Sequence, residues 1–133
     1  MEQLDTAYVI DDDKIFTYAL SRQMKLVNFS RSVMVFHNGL EALKHLTPAM
    51  ASPEELPSLI LLDLNMPVLD GWQFLDEFTK LRPNKKIRIY IVSSSIDPAD
   101  HERALRYESV SNFYIKPISK TNLLEILSHM TLH

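Results

Sequence analysis

Residues 59–72 read LILLDLNMPVLDGW. An apolar run, Leu59 to Leu62, drives straight into Asp63, and Asn65, Pro67, Asp70 and Gly71 follow at once. Two readings are open here. Asp, Asn, Pro and Gly are common turn residues, so the stretch can be a plain exit from a strand. Open α/β sheets also place their ligands at the carboxyl ends of parallel strands, so it can be a reactive site. The rest of the chain has to decide.

Apolar runs recur at Ala7–Ile10, Val33–Phe36, Ile87–Val92 and Phe113–Ile115. The first, third and fourth runs of the five are apolar nearly throughout, as strands covered on both faces require. Between them the spacing turns helical. Phe16, Leu20, Met24 and Val27 predict one helix, and Leu40, Leu43 and Leu46 a second, with Asn38 as cap and Glu41 in the reciprocal position. Phe74, Leu75, Phe78 and Leu81 predict a third, capped by Asp70 with Gln73. Asp97-Pro98 starts a fourth, mostly polar over 99–107, which should cover the sheet only thinly. Leu123, Leu124, Leu127 and Met130 predict the last, with Ser119 as cap. This alternation predicts an α/β fold, a doubly wound parallel sheet with right-handed crossovers and helices on both faces. Thr47–Pro57 (TPAMASPEELP) reads as a long surface loop.

The chain has 133 residues, enough for one domain with an ordinary core. Its net charge of −3 offers no general attraction to nucleic acid. The basic run Lys80, Arg82, Lys85, Lys86 and Arg88 lacks stacking aromatics and reads as a solvated helix end and loop. Without cysteine, neither disulfides nor thiolate metal sites are possible. The acidic start and the lack of a long apolar segment predict a cytoplasmic protein with no membrane insertion. Only two glycines occur, which excludes a glycine-rich phosphate loop.

The residues just after each strand should gather at one edge of the sheet. These are Asp11, Asp12 and Asp13, then Asp63, then Ser93-Ser94-Ser95, then Lys116-Pro117. Singly, each has a plain structural role: Asp13 as a helix cap, the serines as a turn, Lys-Pro as a loop entry. Together they suit one task. Two carboxylates about 4 Å apart repel by roughly 4 kcal/mol at an effective dielectric near 20. Asp11, Asp12 and Asp63 therefore need a cation, or one must hold a proton. Lys116 supplies one positive charge, and Mg²⁺ suits the remainder. An acidic pocket that meets its ligand through a metal and a lysine points to phosphate.

VIDDDK (9–14), LLDLNMPVLDGW (61–72), IVSSS (91–95) and FYIKP (113–117), in this order and at strand ends, resemble the receiver domain of two-component response regulators, the CheY-like family. The resemblance spans nearly the whole chain and implies a five-stranded sheet in the order 2-1-3-4-5 with five helices. It implies that Asp63 is the phosphoacceptor. Asp12 would bind Mg²⁺ (with Mn²⁺ as a substitute) directly, Asp11 through a metal-bound water, and Asn65 through its backbone carbonyl. Lys116 and Ser93 would contact the phosphoryl group, Pro117 would follow a cis peptide bond, and Phe113 would be the switch aromatic. Asn65 and Ser95 would tune the lifetime of the aspartyl phosphate. The donor would be a sensor histidine kinase or a histidine phosphotransfer protein. Output would go to a downstream protein target through the face of the fourth helix, fifth strand and fifth helix, from a monomer or weak dimer.

Three positions depart from the family pattern. Ser93 stands for the commoner threonine and lacks the methyl that helps fix its rotamer. Ser94 replaces Ala or Gly, and Phe113 lacks a tyrosine hydroxyl. These bear on the rate and amplitude of switching. A haloacid-dehalogenase-type phosphatase also uses a post-strand aspartate, but needs a second aspartate as general acid where this chain has Asn65. A phosphorylation-independent docking module is the other alternative, and a flavin binder would want a hydroxyl- and glycine-rich first loop. The expectation is a stand-alone receiver over residues 1–133, without a separate output domain and not an enzyme beyond its own phosphorylation and dephosphorylation. The histidines at 37, 45, 101, 129 and 133 receive no role, and Trp72 reads as partly buried packing.

Overall fold

The computed structural model describes residues 3–131. The strands are β1 (Leu4–Ile10), β2 (Ser30–Phe36), β3 (Leu59–Leu62), β4 (Arg88–Ser93) and β5 (Val110–Ile115). The helices are α1 (Lys14–Leu26), α2 (Gly39–Ala49), α3 (Gly71–Leu81), α4 (Pro98–Leu105) and α5 (Lys120–Thr131). All pairings are parallel and the order is β2-β1-β3-β4-β5, as expected.

Side chains alternate faces along a strand, so a strand buried on both faces feeds two cores. Tyr8, Ile10, Ile60, Leu62, Ile89 and Ile91 point to one core with Leu46, Phe74 and Ala104. Ala7, Val9, Leu59, Leu61, Tyr90 and Val92 point to the other with Leu20, Met24, Leu123 and Ile126. Thus α2, α3 and α4 cover one face and α1 and α5 the other. Only Ala104 of α4 is buried, which makes it the thin cover its polar sequence implied.

The caps form as the side chains dictate. Asp13 accepts from the Phe16 amide, and Asp97 from that of Ala99. Asp70 and Gln73 complete a reciprocal box at α3, and Ser119 and Asn122 exchange equivalent bonds at α5. At α2 the Glu41 carboxylate reaches past the cap, Asn38, to the amide of His37 at 3.3 Å.

Several boundaries differ from expectation. β1, β2 and β5 each begin three residues earlier than their apolar runs, because Leu4 pairs with Ser30 and Ile89 with Val110, where a neighbouring strand supplies the hydrogen bonds. The 47–57 segment is not a loop throughout. α2 continues to Ala49 with Pro48 in its last turn, and a 3-10 turn follows at Pro53–Glu55. Burial explains it: Ala49 and Leu56 belong to the core beneath α2, and Lys85 Nζ donates to the Leu56 carbonyl at 2.9 Å. No helix of the described residues is long and apolar enough to cross a membrane.

Candidate functional site

The sheet ladder runs one residue past the strand ends, and this sets the site. The Asp11 amide donates to the Phe36 carbonyl and the Asp63 amide to that of Ile10, both at 2.9 Å. The Lys116 amide donates to the Ser93 carbonyl at 2.8 Å. Each group is thus held by a neighbouring strand, on a rigid base rather than a free loop. The expected cis bond is present at Lys116-Pro117.

Gly71 brings α3 close to the acidic residue. A Cβ there would collide with the Asp63 carbonyl oxygen and lie 2.7 Å from Leu64 Cα. The Gly71 amide donates to the Leu64 carbonyl at 3.0 Å, closing the loop that begins at Asp63.

The carboxylates of Asp11, Asp12 and Asp63 offer oxygens all within 4.8 Å of one another. Asp11 and Asp63 are buried, while Asp12 is exposed. Lys116 Nζ lies 2.7 Å from Asp11 Oδ2 and 3.7 Å from Asp63 Oδ2, and 4.4 Å from the centre of the Phe16 ring. Ser93 is fully buried, and its Oγ accepts from the Ser95 amide at 3.2 Å. Asp63 Oδ1 accepts from the Leu64 amide at 2.9 Å.

Burial lifts the Asp63 carboxyl from 3.8 to about 6, with the Asp11 charge adding and Lys116 and the Leu64 and Asn65 amides opposing. Burial likewise lifts Asp11 above its ordinary value, against the pull of Lys116 and the Asp13 amide. Lys116 is raised: burial favours its neutral form, but the Asp11 hydrogen bond and the Asp11 and Asp63 charges outweigh it. One lysine does not neutralise three carboxylates. The donors are all hard oxygens, the set that a small divalent cation such as Mg²⁺ prefers.

Two histidines that spacing left without a role contact this region. His37 Nδ1 donates to the Asp11 carbonyl at 3.1 Å, and His101 stacks on Phe113. Neither contact has a sequence signature, since both join remote segments. Ser95 turns its hydroxyl to Asp100 Oδ2 at 2.6 Å. Trp72 packs between α3 and α4, stacked on Tyr107 with the Arg103 guanidinium 4.0 Å from its ring centre.

Fold and site together define a parallel α/β domain with an acidic, lysine-bearing pocket at the carboxyl edge of its sheet. The family model of the response regulator receiver domain matches residues 7–128, and the chain belongs to that family. Over 117 residues it is 30% identical to the transcriptional regulatory protein PrrA of Mycobacterium tuberculosis, covering 87% of this chain and 45% of that one. It thus spans under half the length of that relative. A two-component response regulator from Cytophaga hutchinsonii superposes with a TM-score of 0.91 at 25% identity, covering 99% and 100% of the two chains. The receiver domain of a sensor histidine kinase from Pseudomonas aeruginosa, solved with a magnesium ion in its active-site cleft, gives 0.78 at 18% identity over 97% and 98%. Receiver domains are generally signalling domains rather than enzymes, act with histidine kinases and downstream targets, and bind Mg²⁺ at an acidic pocket.

Proposed function

We propose that the protein accepts a phosphoryl group on Asp63 from a phosphohistidine of a sensor kinase or phosphotransfer protein and uses it to change its contacts with a downstream protein. The observation that carries this reading is convergence. Carboxylates from two strand ends lie within 4.8 Å of one another, and Lys116 reaches two of them from a third.

An Asp63 oxygen attacks phosphorus, the P–O bond forms, and the P–N bond to the imidazole breaks. Lys116 Nζ, held 2.7 Å from Asp11 Oδ2 and 3.7 Å from Asp63 Oδ2, donates to the transferred oxygens. Ser93 already accepts from the Ser95 amide, which leaves its hydroxyl hydrogen for the same anion. Such catalysis rests on positioning and electrostatics. Asp11, Asp12, Asp63 and the carbonyl of Asn65 would hold Mg²⁺, which when bound supplies the remaining positive charge against the phosphoryl oxygens. Water later cleaves the aspartyl phosphate.

The switch elements are Ser93 and Phe113. Phe113 sits half-buried on β5 beside α4, so the face of α4, β5 and α5 is where a changed Phe113 would alter docking. Incubation with acetyl phosphate and Mg²⁺ followed by a phosphate-affinity gel tests the assignment. Wild type shifts and Asp63→Asn does not; equal labelling of both would sink it.

A further inference from the structure

A line of contacts leads from the pocket hydroxyl to the aromatic on β5. The Ser95 amide donates to Ser93 Oγ at 3.2 Å, and His101 Nε2 lies 3.2 Å from the Ser95 carbonyl oxygen. A carbonyl only accepts, so Nε2 carries the hydrogen. The His101 ring lies flat on Phe113, with centroids 3.7 Å apart and planes 20° from parallel. The preceding residue, Asp100, accepts the Ser95 hydroxyl at 2.6 Å, so one serine is tied to two successive residues of α4. Besides these bonds, the Arg103 guanidinium rests on Trp72, and Ala104 alone of the helix's residues is buried.

We propose that His101 is the positioning residue that couples the loop after β4 to Phe113; this rests on the receiver reading above. Histidine combines a ring that stacks on Phe113 with a donor that holds the Ser95 carbonyl. In the resting arrangement the stack keeps Phe113 against α4. When Ser93 is drawn to a phosphoryl oxygen, Ser95 moves with it and carries His101 along through the Nε2 bond. This takes the ring off Phe113 and frees it to turn towards the space behind Ser93. Phe113 has no hydroxyl of its own to hold either position, so this neighbour sets its balance.

The test is NMR of the full chain, following the Phe113 ring and the Ser93 and Ser95 amides with and without Mg²⁺ and beryllofluoride. His101→Ala is expected to displace all three signals in the unliganded protein towards their beryllofluoride positions. It should tighten beryllofluoride binding roughly two- to tenfold, the range of one aromatic stack. His101→Phe, which keeps the ring without the donor, should restore the Phe113 signals but not those of Ser95. His101→Gln, which keeps a donor without the ring, should do the reverse. Unmoved Phe113 and Ser93 signals in His101→Ala, unchanged beryllofluoride affinity, or identical displacements in all three variants would overturn the coupling. Failure of the wild type to bind beryllofluoride, with His101→Ala still moving both Phe113 and Ser93, would overturn the receiver reading and leave the coupling standing.

Discussion

Lys116 Nζ sits 2.7 Å from Asp11 Oδ2 and a full ångström farther, 3.7 Å, from Asp63 Oδ2. The lysine is therefore anchored by the one carboxylate and shared with the other. Asp11 is 1% exposed, so without Lys116 its charge has no counter-charge and keeps only the hydrogen bond from the Asp13 amide. Lys116→Met should cost roughly 3 kcal/mol at pH 7.5 in urea unfolding, as breaking a buried pair does. Acid should shrink the loss, because Asp11 can then take a proton. Asp11→Asn should remove most of the effect of Lys116→Met. A loss that is independent of pH and of Asp11 would refute this account.

The Asp63 carboxyl, held at about 6 rather than 3.8, makes a signed prediction about stability. The folded state keeps the proton that the unfolded state gives up, so this group's contribution is full below pH 4 and is lost as pH rises to about 6. Asp63→Asn removes that loss. Without metal it should be more stable than wild type at pH 8, by roughly 2 to 3 kcal/mol, with the gap closing towards pH 4. Thermal melts at four or five pH values would show it, and a gap that widens in acid would contradict it.

The same proton competes with metal. Mg²⁺ affinity should rise as pH is taken through about 6 and level off above it, with proton release on binding. Calorimetry in buffers of differing ionisation enthalpy measures both, and pH-independent binding would remove Asp63 from the ligand set.

Val68 adopts φ = 68°, and the Leu69 amide donates to the Pro67 carbonyl at 2.8 Å. This is a γ-turn with a β-branched residue on the strained side of backbone space. The side chain is 74% exposed, so little packing is lost on removing it. Val68→Gly should raise stability by about 1 kcal/mol, the relief exceeding the added chain entropy. A drop in melting temperature would show that the turn needs the valine.

Gly71→Ala should act in the opposite sense. The added methyl meets the Asp63 carbonyl and Leu64 Cα, both backbone, so α3 must shift. Overpacking of this kind costs about 1 to 3 kcal/mol. Because the displaced atoms carry Asp63, acetyl phosphate labelling should fall even at temperatures where the variant is folded. Unchanged labelling and stability would mean the helix has slack.

Much of the architecture was legible in the linear chain. Runs such as Leu59–Leu62 announce strands covered on both faces, because no polar face is left for water, and side chains such as Asp13, Asp70 and Ser119 cap helices through bonds only a few residues long. The rim of carboxylates, hydroxyl and amine followed from strand order alone, since parallel strands bring their carboxyl ends to one edge. The continuation of α2 to Ala49 was not legible: Pro48 and Ser52 favour a break locally, and only the burial of Ala49 and Leu56 against the core overrides them. Nor was the choice of Asp11 over Asp63 by Lys116, or the seat of His101 on Phe113. Local chemistry acts over a few residues and can be read along the chain. Ångström differences between side chains from remote strands depend on how the sheet twists and the helices pack, which no short stretch encodes.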